Sequence, residues 1–100
     1  MTVALDVVSS DLVDVFDALI NGTQWQRLEA RPRLITCAMA YARLAIDARK
    51  ANRRGVAEAL DAIDTYLIRL AGRSNFSGAD FLALQGLSER LDHEIALDPR

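Results

Sequence analysis

The sequence predicts an all-α fold, a small antiparallel helical bundle of about four helical segments with a long central helix. Three observations predict it. Apolar residues recur three and four apart along most of the chain. After residue 8 there is no alternating run of β-branched and aromatic residues. Only two prolines and five glycines interrupt 100 residues, Pro32 suiting a helix start and Gly22, Gly55 and Gly72 helix ends.

The chain is organised around residues 32–54, RPRLITCAMAYARLAIDARKANRR with its preceding arginine. Leu34, Ile35, Ala38, Met39, Ala42, Ala45 and Ile46 fall at helical spacing, and Cys37, Tyr41 and Leu44 widen the apolar surface. Thr36, Arg43, Asp47, Lys50 and Arg54 leave only a narrow polar stripe, so neighbours are expected on two or three sides. The alanines favour helix and let neighbouring helices approach closely. Pro32 suits a first turn and Gly55 a stop.

The remaining elements follow in order. Residues 2–8, TVALDVV, alternate loosely and find no strand to pair with. They are expected to form an apolar N-terminal arm over residues 1–8, its valines and leucine covering a groove; an early helical turn or a strand pairing with a second copy are the alternatives. Ser9 or Ser10 caps a first helix ended by Asn21 and Gly22, with Leu12, Phe16, Leu19 and Ile20 inward. Thr23 and Gln26 make a capping box for a short helix, offset from the long one by a kink at Arg31 and Pro32. Residues 56–71 give a clean seam of Leu60, Ile63, Leu67 and Leu70, with Glu58, Asp61 and Asp64 outside. Ser77 and Asp80 open the last helix, flanked by Phe76 and Phe81 at the staple positions. Residues 98–100 are a tail. The whole chain, 1–100, reads as a single helical-bundle domain.

Composition narrows the function. Apolar residues are 51% and charged residues 26%, which excludes disorder by composition. No apolar run approaches the roughly 20 residues of a membrane span, the N-terminus lacks a signal peptide's basic start, and a single cysteine fits a reducing cytoplasm. Eleven arginines against one lysine point to a high-GC bacterium or its phage. Net charge is −2, but residues 27–54 hold eight bases against two acids while both flanking regions are acidic. Either an acidic helix lies beside the basic one, or a basic patch meets an acidic partner.

No phosphate loop, dinucleotide fingerprint, metalloprotease helix or nucleophile elbow occurs. His93 and Cys37 stand alone, and neither they nor the pair Asp61 and Asp64 imply a catalytic, cofactor or metal site. The expectation is therefore a non-enzymatic protein without cofactor that acts by protein–protein binding, as an adaptor, inhibitor or export chaperone. Two clusters are candidate partner-binding surfaces: Trp25 with Arg27, Arg31 and Arg33, and Arg49, Lys50, Arg53 and Arg54 at the far end of the long helix. Its partner is another protein, including one held in a nucleoprotein complex; a homodimer is compatible with the high apolar content. The alternative is a nucleic-acid-binding regulator using residues 27–54, against which the acids of the following helix and the overall acidity argue.

Overall fold

The computed structural model describes residues 2–73 and 76–97. They form four α-helices: α1 Thr2–Asn21, α2 Gln24–Lys50, α3 Arg54–Ala71 and α4 Gly78–Leu97. Consecutive helices run antiparallel, as their cross-contacts show. Ser9 of α1 reaches Tyr41 of α2, and Arg27 reaches Ile20. Arg49 pairs with Asp61 while Arg31 reaches the Arg73 carbonyl at the other end of α3. The molecule measures 44 × 22 × 21 Å. The domain is the small all-α bundle that periodicity predicts, and no helix among the described residues is long and apolar enough to cross a membrane.

Residues 2–8 are not an arm. They open α1, because Leu5, Val8, Leu12, Val15 and Leu19 continue one 3–4 seam that packs on the core. The local alternation over residues 3–7 hid that longer period. Ser9 and Ser10 therefore lie within the helix and cap nothing at its start. The expected tail, residues 98–100, lies outside the described residues.

Nor are there two offset helices around Arg31 and Pro32. α2 is one helix from its Thr23 cap, with Pro32 inside it. The capping box is complete: Gln26 N–H donates to Thr23 Oγ1 at 3.2 Å and Thr23 N–H to Gln26 Oε1 at 2.8 Å. Proline cannot donate to the Leu28 carbonyl, but Leu28 and Pro32 both lie on the exposed side of the helix, where water can take the place of the missing N–H, and the helix carries through. The long helix stops at Lys50 and not at Gly55. Asn52 takes the left-handed conformation, φ 62°, and the Asn52 and Arg53 N–H groups return to the Arg49 and Ala48 carbonyls at 3.0 and 2.8 Å. Asparagine thus does what was expected of glycine. Gly55 sits instead in the first turn of α3, where a side chain would run into the Glu94 carboxylate of α4.

The core is centred on α2 and α3. Ala38, Ala45 and Ala48 of α2 and Ala57 and Ala59 of α3 are buried, with Leu34, Tyr41, Leu60, Ile63, Leu67 and Leu70 around them. On the facing sides, the methyl groups of Ala38, Ala45 and Ala57 let these two backbones approach closely. α1 closes on α2 through Leu12, Val15, Phe16 and Leu19, and Phe16 meets Phe81 of α4 with ring centroids 6.3 Å apart.

One buried carboxylate ties the α3–α4 turn. Asp80 accepts from Arg73 Nη1 at 2.7 Å, from the Ser77 N–H at 2.9 Å and from the Tyr66 hydroxyl at 3.2 Å. Burial alone would raise its pKa. The hydrogen bonds from Arg73, Ser77 and Tyr66, with the Arg73 charge, more than offset this and hold it below the ordinary carboxylate value.

Two stability measurements test this packing. Ala45→Leu should lower the unfolding free energy by about 1–3 kcal/mol in a urea titration, whereas Ala83→Leu on the exposed face of α4 should stay within about 0.5 kcal/mol of wild type. Asp80→Asn should cost about 1–3 kcal/mol at neutral pH. Because the folded-state pKa of Asp80 lies below its unfolded value, its stabilisation is full above the ordinary carboxylate range and is lost as pH falls through the folded value. The gap between wild type and variant should therefore close on acidification.

Candidate functional site: the outer face of α2

α2 carries two apolar stripes. One, Leu34, Ala38, Tyr41, Ala45 and Ala48, is buried against α1 and α3. The other is Trp25, Leu28, Pro32, Ile35, Met39, Ala42 and Ile46, spaced alternately three and four apart and lying about 130° round the helix from the first. Nothing among the described residues covers it. Trp25 is 76% exposed, Met39 67%, Leu28 54%, Ile46 52% and Ile35 47%. The sequence expectation that Ile35, Met39 and Ile46 face the core is therefore corrected. The two helices that pack on α2, α1 and α3, cover only one side of it.

α3 extends this surface. Asp61 contacts Arg49 of α2, and Ile68, two turns further along the same flank of α3, is 52% exposed beside the stripe. At roughly 150–250 Å² per large side chain, the exposed fractions come to on the order of 600 Å². That is the upper end of what a monomer ordinarily shows in one patch.

The basic residues fall at its two ends and are not brought together. Trp25 opens α2, and Arg27, exposed, donates to the Ile20 carbonyl at 3.5 Å. Arg31 is half-buried and spends its guanidinium on the Arg73 carbonyl. Arg33 is exposed on the α1 side, near Cys37 and Asp11. Arg49 pairs with Asp61, and Lys50 is exposed beside it. Arg53 and Arg54 do not belong to the end of α2 as expected: Arg53 precedes α3 and Arg54 is its first residue. Of the acids expected to be fully wet, Asp61 and Asp64 are half-buried, and burial followed by the Asp61 charge raises the Asp64 pKa.

Sequence reasoning located Trp25 and missed Leu28, Ile35, Met39, Ile46 and Ile68. The signal was present as a second 3–4 repeat on a helix that already had one.

A separate groove of about 410 Å³ opens between α1 and α4. Leu12, Tyr41, Leu84 and Leu91 form its apolar floor, with Ser88, Glu89 and Asp92 on the rim. Tyr41, 1% exposed, bonds Ser9 at 3.3 Å and belongs to the core. Among the described residues, no three His, Cys, Asp or Glu side chains are grouped to hold a metal.

Cys37 is 6% exposed; burial first, then the Asp11 charge, raises its thiol pKa against a smaller opposing effect of Arg33. The exposure that a reactive thiol needs is missing, and the Arg33 charge does not offset the burial. A colourless disulfide reagent should accordingly modify Cys37 on the order of 100-fold more slowly in the native protein than in urea.

Compared with family models, with curated proteins and with solved structures, the chain matches none.

Proposed function

We propose that this is a non-enzymatic protein that acts by docking another polypeptide along the outer face of α2. The observation that supports the reading is the exposed 3–4 stripe from Trp25 to Ile46. That spacing is how one helix presents itself to another across a seam. Interface energy concentrates in aromatic and large aliphatic anchors ringed by polar groups, and Trp25 and Met39 in this setting have that chemistry. Arg43 and Lys50 on one flank and Arg31 on the other supply a charged rim that sets orientation. Adaptors, inhibitors and export chaperones all work in this way, and a bacterial or phage cytoplasm suits a protein with one buried free thiol. Direct nucleic-acid binding has less support, since Asp61 pairs with Arg49 and the acids of α3 adjoin the same surface.

Capture from the native host tests the reading. Met39→Glu and Trp25→Ala change exposed side chains and should leave the helical circular dichroism unaltered, yet each should lower recovery of the bound polypeptide at least about tenfold. Full recovery with both variants would show that the outer face of α2 is not the docking surface.

A further inference from the structure

The seam on α2 has a symmetry of its own, and it names an occupant. Leu28, Pro32, Ile35, Met39, Ala42 and Ile46 are spaced so that a reversed copy of the same helix fits them. Antiparallel pairing sets Leu28 against Ile46, Pro32 against Ala42 and Ile35 against Met39, each layer then recurring by the two-fold axis. Bulky faces small at the proline layer, and two flexible or branched side chains meet at the centre.

Charge selects the same arrangement. Glu29, Thr36, Arg43 and Lys50 line one flank of the seam, seven residues apart in each step, and all four are exposed. Among the described residues no ion pair engages Glu29, Arg43 or Lys50. In the antiparallel pair the acidic end of this flank meets the basic end of the other copy. Glu29 faces Arg43 twice, and Thr36 faces itself near the axis. A parallel pair would set this flank against Gln24, Arg31, Ala38 and Ala45, where no opposite charges meet. The antiparallel register also sets Trp25 of each copy over Arg49 and Lys50 of the other, so the two sequence-predicted clusters, on the order of 36 Å apart within one chain, become neighbours between chains.

The area agrees with this occupant. On the order of 600 Å² of exposed apolar side chain per copy, before the polar rim is counted, approaches the roughly 800 Å² that each partner brings to a stable interface of ordinary size.

We infer that the polypeptide docked on α2 is a second copy of this chain, joined antiparallel through Leu28, Ile35, Met39 and Ile46 and oriented by reciprocal Glu29–Arg43 pairs. The inference rests on the docking reading above and specifies its partner. It leaves Arg27, Arg33 and the α1–α4 groove of each copy outward.

Sedimentation equilibrium of the purified full chain tests it. Wild type at tens of micromolar should give twice the 11.0 kDa chain mass. Met39→Glu should give the single-chain mass with its helical signal intact. Glu29→Arg alone and Arg43→Glu alone should each weaken association about tenfold at low salt, and the double variant should restore it. A wild type that stays monomeric, or a dimer indifferent to Met39→Glu, would overturn the inference. A dimer broken by Met39→Glu but unmoved by charge reversal would overturn the antiparallel assignment. A monomeric wild type whose host capture is still lost in Met39→Glu would remove the second copy alone and leave the docking reading standing; unchanged capture would remove both.

Discussion

The close approach of α2 and α3 constrains everything else in this molecule. Small residues lie on the facing sides, Ala38 and Ala45 of α2 and Ala57 of α3, and their methyl groups let two long helices lie against each other along most of their length. The larger side chains of α3, Leu60, Ile63, Leu67 and Leu70, fill the core that these helices share with α4. A bulkier α2 would push α3 away and open the space that Tyr41 and Phe16 now fill. The arrangement has a cost in coverage. Two helices packed closely on one side of α2 leave its opposite side to solvent, and that side is apolar.

The polar groups fix geometry where the core has little to offer. Asp80 joins the end of α3, the turn and the first residues of α4 through one carboxylate. Arg31 ties the same turn to α2. At the opposite end Asn52 and Arg53 close α2 with their own backbone bonds, so the α2–α3 connection needs no glycine and no side-chain cap. These ties hold the ends of the helices while the alanines and leucines hold their middles.

Much of the fold was legible in the sequence because its signals are local and periodic. The capping box at Thr23 and Gln26, the seam from Leu60 to Leu70 and the start at Ser77 depend on residues a few positions apart. Where reading failed, a longer range decided. The alternation over residues 3–7 looked extended until Leu5 and Val8 joined the repeat that Leu12 and Val15 carry on. Pro32 looked like a boundary because the exposure of Leu28 cannot be read from sequence. Gly55 looked like a stop because Asn52, able to turn left-handed, stands three residues earlier. The candidate site was legible only at Trp25. Periodicity shows that α2 is apolar on two sides; it does not show how many neighbours are present to cover them.

Pro32 gives that outer face one property the other layers lack. Elsewhere along the stripe the residue four positions on can supply an N–H to each carbonyl; at Leu28 that residue is Pro32, which has none to give. Any protein lying along α2 must bring a donor to that point or leave a passage for water. Hydrocarbon tolerates sliding by a turn; a single thirsty oxygen does not. The helix therefore carries a built-in index mark, a polar notch that would fix the position along its length of a helix docked there.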